Sequence, residues 1–153
     1  MSQEHPVCLS ADQVEQLIRE GLPAANSNGV RVELVGAGSA RICLPYQERF
    51  LRPGGIISGP TLFGAADTAM YAAVLAHLGP ELMAVTADTN IRFLRAARAA
   101  DVVAEAQILK LGRSLIVCEV WVWTESRERA AAHVTGSYAR PPVSALDSST
   151  PLS

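Results

Sequence analysis

The stretch Gly59-Pro-Thr-Leu-Phe-Gly-Ala-Ala-Asp67-Thr-Ala-Met-Tyr-Ala-Ala-Val-Leu-Ala-His-Leu78-Gly-Pro80 decides how this chain can fold. Pro60 suits the first position of a helix, where its missing N–H costs nothing, and Gly79-Pro80 stops the helix cleanly. A helix over residues 60–78 is therefore predicted. Gly64, Ala65, Ala66, Thr68, Ala69, Ala72 and Ala73 are small, and Leu62, Phe63, Met70, Val74 and Leu75 complete a surface that is apolar nearly all round. Such a helix has to be wrapped by the rest of the chain. The exception is Asp67, too far from the helix start to cap it or to gain much from its dipole. With Phe63, Gly64, Met70 and Tyr71 one turn away, an unpaired carboxylate there would be costly to bury. Asp67 is therefore either a structural carboxylate hydrogen-bonded to a strand or a catalytic one.

Working outward, Ser10 followed by Gln13 has the form of a capping box, and Val14, Leu17 and Ile18 repeat at helical spacing. A short amphipathic helix ending near Gly21 is predicted to cover one edge or end of a sheet. Residues 24–29 read as a loop, and 30–35 and 39–44 as the strands of a hairpin around Gly36-Ala-Gly38. Residues 45–57 hold Pro53-Gly54-Gly55 and read as too flexible for a regular element. Beyond the long helix, residues 82–93, 101–111, 115–124 and 131–139 read as four strands, and the short turns between them predict antiparallel pairing. The order is helix, two strands, buried helix, four strands. An α+β domain over residues 1–139, a curved antiparallel sheet wrapped round one helix, answers that order. The Pro/Ser-rich residues 140–153 are expected to form a flexible tail.

Composition narrows the classes of partner. In a chain of 153 residues, a hydrophobic fraction of 49%, a mean hydropathy of +0.19 and a charged fraction of 18% are apolar for a soluble monomer. Some of that surface is expected to be buried between subunits. A net charge of -2 lacks the basic excess that a nucleic-acid partner would require. Cys8, Cys43 and Cys118 form an odd set without a CxxC, which fits a reduced, cytoplasmic setting. The first residues show neither the basic cluster nor the apolar run of a signal peptide. Asp67 and the Gly54-Gly55 and Gly79-Pro80 pairs interrupt the longest apolar region, so no membrane span is expected. His5 and His133 lack metal-ligand spacing, and no metal is predicted.

The string Gly59 to Met70, the string Val85-Thr-Ala-Asp-Thr-Asn-Ile-Arg-Phe-Leu-Arg95 and the pair Gly112-Arg113 occur in order. Together they resemble the hotdog-fold thioesterases of the phenylacetate-degradation, PaaI-like type over residues 52–138. The resemblance implies a hotdog fold and hydrolysis of an acyl-CoA to a carboxylic acid and free CoA. No cofactor is implied beyond the coenzyme A of the substrate. It also implies active sites formed between subunits, hence a homodimer or a dimer of dimers. Asp67 would carry the chemistry, as nucleophile or as general base. The family opens its helix with His-Gly-Gly, where this chain has Ser58, Gly59 and Pro60. The oxyanion donor, a backbone N–H eight residues before the acid, falls on Gly59. Thr86 corresponds to a hydroxyl that positions water and reaches the site from the partner subunit. Ser58, Arg52, Phe63, Asn90 and Arg113 are candidate substrate-binding residues. Two rivals remain: a hydratase or dehydratase on the same fold, whose catalytic histidine motif is not evident, and a non-catalytic acyl-CoA binding module.

Strict alternation along the strand after the helix would place Thr86, Asp88, Asn90 and Arg92 on one face and Ala87, Thr89, Ile91 and Phe93 on the other. Coenzyme A phosphates call for cations, and Arg95, Arg98, Lys110 and Arg113 lie near strand ends; Arg113, in the Gly112-Arg113-Ser114 turn, is the first choice. Phe63, Met70, Tyr71, Trp121 and Trp123 are candidates to line an acyl pocket, although the two indoles share one sheet face and read first as packing. His77 reads as a polar residue at a helix end.

Overall fold

The computed structural model describes residues 5–80 and 83–141, so all but the first two residues of the expected tail lie outside the described residues. The chain runs α1 (Ala11–Gly21), α2 (Pro23–Asn28), β1 (Arg31–Gly36), β2 (Ser39–Leu44), β3 (Leu51–Arg52), β4 (Ile56–Ile57), α3 (Gly59–Leu78), β5 (Val85–Phe93), β6 (Val102–Leu111), β7 (Leu115–Trp123) and β8 (Ala132–Ala139). Six strands form one antiparallel sheet in the order β1-β2-β6-β7-β8-β5, and α3 packs against all of them. This is the hotdog architecture, with α3 as the filling.

The composition of α3 explains its place. Ala66, Ala69, Met70, Ala72, Ala73, Val74, Leu75 and Ala76 are wholly buried, and their small side chains let the strands close in. At Gly136 on β8 a Cβ would lie 3.0 Å from Met70 Sδ and 2.9 Å from the Asp88 carbonyl oxygen, so this crossing has no room for a side chain. Ser58 caps the helix, its Oγ accepting from the Thr61 N–H, and Pro60 sits in the first turn.

The predicted capping box of α1 is present: Ser10 Oγ accepts from Gln13 N, and Gln13 Oε1 accepts from Ser10 N at 2.9 Å. Val14 and Ile18 bury the apolar stripe. The polar side of the helix serves the edge of the sheet. Glu15 accepts the Val32 N–H at 2.8 Å, and Arg19 donates to the Val30 carbonyl at 2.9 Å, so α1 covers the β1 edge.

Three readings are corrected. Residues 24–29 are not a loop: Pro23 opens α2, and Gly29, in the left-handed region at φ 69°, closes it. Residues 45–57 contain a 3-10 turn at Glu48–Phe50 and the small hairpin β3-β4, which Gly54 and Gly55 turn with positive φ. The strand after α3 is not laid beside its successor. β5 pairs with β8 at the far edge of the sheet, and residues 94–101 cross over to β6. That pairing is non-local, so turn length could not reveal it.

His77 is a buried residue of the core and not an exposed helix terminus. Its Nε2 accepts from the Gly38 N–H at 2.8 Å, which leaves the ring proton on Nδ1 to donate to the Ala73 carbonyl at 2.7 Å. The imidazole thereby pins the β1–β2 turn to the end of α3. Among the described residues no helix is long and apolar enough to cross a membrane.

The His77 bonds yield a stability prediction. His77→Ala strands a buried amide donor and should lower the unfolding free energy by about 1–3 kcal/mol, read from the midpoint of urea denaturation.

Candidate active site

One stripe of α3 escapes the wrapping. Pro60, Phe63, Gly64, Asp67 and Thr68 run along one side of its first half and are partly or fully exposed, as are Gly59 and Thr61 at its start, and Asp67 is the only ionisable group among them. The carboxylate is not left to water. Thr86 Oγ1 on β5 donates to Asp67 Oδ1 at 2.9 Å, and Tyr138 Oη on β8 donates to the same oxygen at 2.8 Å. The Tyr138 hydroxyl also lies 3.1 Å from the Asp67 carbonyl oxygen. Both donors hold Oδ1, while Oδ2 has no hydrogen-bond donor among the described residues. A cleft of about 360 Å³ opens beside the carboxylate, lined by Leu22, Thr68, Tyr71, Val85, Thr86 and Tyr138.

A defect in β5 makes this arrangement possible. Thr86 pairs with Tyr138 and Asp88 pairs with Ser137, so the register slips by one residue at Ala87. This β-bulge overturns the strict alternation expected for the strand. Thr86 does not share a face with Asp88, Asn90 and Arg92; it turns inward with Thr89, Ile91 and Phe93, towards α3. Asp88 lies outside, where Ser137 Oγ donates to it. Asn90, opposite Thr135, is likewise on the face turned away from Asp67. The partner-subunit position implied for Thr86 is also corrected, because it contacts the carboxylate of its own chain.

Burial first, and then the charge of Asp67, push the Tyr138 phenol well above its ordinary range. It therefore remains a neutral donor at neutral and mildly alkaline pH. Sequence reasoning missed Tyr138, because only the long-range β5–β8 and β7–β8 pairings bring it under α3.

Gly59 occupies a second cleft, of about 520 Å³, together with Arg52, Ile57, Phe93, Leu94 and Arg95. Its N–H, at the first helical position, has no acceptor among the described residues. The glycine also leaves room for the Phe93 ring, whose Cζ would lie 3.2 Å from a Cβ at this position. Gly59 and Asp67 are separated by eight residues of unbroken helix, about 12 Å along the axis, too far for one carbonyl group to meet both. One chain thus carries two separate clefts, one at each of these groups.

The remaining candidates scatter. Ser58 Oγ is engaged in the helix cap with Thr61. Phe63 is exposed one turn before Asp67 and lines neither cleft. Arg113 is exposed at the β6–β7 turn, at the same end of the sheet as the Thr86–Tyr138 pair. Arg98 is tied to Glu125 at 2.8 Å. Met70 is wholly buried, and of the suggested acyl-pocket residues Tyr71 alone lines the Asp67 cleft. Trp121 stacks on His133 with centroids 4.2 Å apart, and Trp123 lies under Arg41, both on the outer face of the sheet.

A family model described as the thioesterase superfamily matches residues 54–131. A proposed thioesterase from Silicibacter sp. TM1040 is 35% identical, the match covering 92% of this chain and 97% of that one, with a TM-score of 0.83. A mutant of the phenylacetic acid degradation protein PaaI from Thermus thermophilus is 26% identical over 78% of this chain and 99% of that one, with a TM-score of 0.68. A proposed esterase from Saccharolobus solfataricus is 29% identical over 73% of each chain.

The raised Tyr138 phenol gives a pH prediction with a definite sign. The folded state keeps this proton more tightly than the unfolded chain, so stability is lost as pH rises past the ordinary phenol value of about 10. Urea melts at a series of alkaline pH values should show a shallower loss in Tyr138→Phe than in the unaltered protein.

Proposed function

The chain belongs to the thioesterase superfamily and is a thioester hydrolase; we propose that its substrate is an acyl-CoA and that Asp67 does the chemistry. The observation that carries this reading is the half-held carboxylate: Thr86 and Tyr138 fix Oδ1, while Oδ2 is left without a donor beside an open cleft. A fixed carboxylate with one uncommitted oxygen can attack a carbonyl carbon or take a proton from water. In either route the carbonyl–sulfur bond breaks, an oxygen from water ends on the acid, and the thiolate leaves and takes up a proton as the CoA thiol.

The second requirement is a donor for the developing oxyanion, and here a second copy of the chain enters. The β1 edge is covered by α1, whereas β5, the other edge, exposes Val85 at 59% and Phe93 at 56%. An uncovered apolar edge invites another strand. Thr89, at the middle of β5, has a buried Oγ1 without a partner among the described residues. Antiparallel pairing of two β5 strands about a two-fold axis near Thr89 would set the two threonines face to face. It would also bring the Thr86 end of each β5 level with the Phe93 end of the second copy's, so that each Asp67 cleft meets a second copy's Gly59 cleft. The carbonyl then lies between the free Oδ2 of one subunit and the Gly59 N–H at the positive end of the other's helix. Homodimerisation through β5 is thus part of the proposal, and a dimer of dimers is compatible with it.

Arg95 and Arg52 in the Gly59 cleft and Arg113 beside the Asp67 cleft would ring the mouth of such a joint site. They are the groups we assign to the phosphates of coenzyme A in a reduced, cytoplasmic setting.

The test is thiol release from acyl-CoAs by the purified protein. Asp67→Asn should lower kcat by about a hundredfold or more, and Thr86→Ala by about tenfold. Unchanged thiol release in Asp67→Asn would remove the carboxylate from the mechanism.

A further inference from the structure

A third space along α3 is distinct from the clefts at Asp67 and Gly59. A cavity of about 480 Å³ lies between α2 and the first half of α3, within the size range of small-molecule pockets. Its walls are mostly apolar, with Ala25, Val30, Ile42, Leu44, Phe50 and Ala65 among them. Two features join it to the chemistry. Leu22 and Thr68 line both this cavity and the Asp67 cleft, so the two spaces adjoin across these two side chains. At Gly64, one turn before Thr68, no atom lies within 4 Å of where a Cβ would stand.

The far end of the cavity carries a charge. From Thr68 the space follows α3 back to Pro60, about 12 Å along the axis, and ends at Arg49 and Phe50. Phe50 is fixed at that end because its carbonyl accepts the Ser58 N–H at 2.9 Å. Arg49 is held by neutral partners only. Its Nε donates to Gln47 Oε1 at 2.7 Å, an Nη donates to Asn28 Oδ1, and its guanidinium carbon lies 5.0 Å from the Phe50 ring centre. Arg49 is exposed and makes no ion pair among the described residues, as is also true of several other arginines. What sets it apart is its place on the cavity wall, with its guanidinium held by Gln47, Asn28 and the Phe50 ring. A preorganised guanidinium without a counter-charge, at the end of an apolar passage, fits a carboxylate on the molecule that fills the passage.

Resting on the acyl-CoA reading above, we propose that this cavity receives the acyl chain and that Arg49 binds its distal end. The substrate class is then a medium-length acyl-CoA that ends in a second carboxylate, an ω-carboxyacyl thioester. The thioester carbonyl would sit at Asp67, the methylenes would pass Thr68 and Gly64, and the terminal carboxylate would meet Arg49.

Two measurements on the full chain test this. The first is thiol release from matched pairs of plain and ω-carboxy acyl-CoAs of short and medium length. The unaltered protein should favour the medium ω-carboxy member over its plain counterpart by about tenfold in kcat/KM, and Arg49→Met should abolish that preference. Gly64→Leu fills open space at a helical position and should lower kcat/KM for medium over short chains by about tenfold, with the unfolding midpoint confirming that it is folded. The second is calorimetric binding of the free medium-length dicarboxylic acid, which needs no turnover and should be lost in both variants. Equal handling of the paired substrates, or preferences and binding unmoved by Arg49→Met and Gly64→Leu, would overturn the proposal. Dicarboxylic acid binding that the variants abolish, in a protein that releases no thiol from any acyl-CoA, would keep the cavity assignment and overturn the hydrolytic reading. Asp67-dependent thiol release with a chain preference that Gly64→Leu leaves unmoved would do the reverse.

Discussion

A carboxylate placed on the most apolar helix of a protein has to be compensated, and the way this chain compensates Asp67 organises its fold and its chemistry. A salt bridge would neutralise the group. The chain supplies two neutral hydroxyls instead, from Thr86 and Tyr138, both directed at Oδ1. Hydrogen bonds to a charged acceptor are worth more than neutral ones, so two of them can hold the side chain while leaving its negative charge and its other oxygen in place. Delivering the hydroxyls takes the pairing of β5 with β8 and the bulge at Ala87 that turns Thr86 inward. The bulge is thus a device that aims a side chain and not an irregularity of the edge.

The length of α3 imposes the other constraint. A rigid helix separates the acid from the amide at its start by about 12 Å, and no rotamer change shortens that distance. The two clefts of one chain cannot serve one carbonyl, and on the proposed reading the uncovered β5 edge is where a second chain would join them. The same helix that separates the two clefts also lines the cavity that reaches Arg49. All three spaces are thereby referenced to one element.

Much of this was legible in the sequence, and the limits are physical. Local signals read correctly: the Ser10–Gln13 capping box, the α3 helix with its Gly79-Pro80 stop, the strands, and the singularity of Asp67 on an apolar surface. The family resemblance added Gly59 and Thr86. What escaped depends on partners distant in sequence. Tyr138 is 71 residues from the carboxylate it holds. The inward turn of Thr86 follows from a register slip against β8 that no alternation rule encodes, and the removal of Asn90 from the site follows from the same slip. Residues 24–29 were read as a loop because Asn26, Ser27, Asn28 and Gly29 are turn formers; Pro23 at a first helical position was the signal that marks α2, a wall of the cavity beside the first half of α3.

The most direct test of the account is complementation between subunits that each lack one half-site. Asp67→Ala removes the acid, and Gly59→Val sets a branched side chain into the Gly59 cleft against the Phe93 ring, where it would block a carbonyl from the helix start. Each variant alone should be inactive. Unfolded together and refolded as an equal mixture, half of the dimers would be mixed and each mixed dimer would hold one intact site, so thiol release should return to about a quarter of that of the unaltered protein. Full inactivity of a mixture shown to contain mixed dimers would contradict a site shared between Asp67 of one subunit and Gly59 of the other.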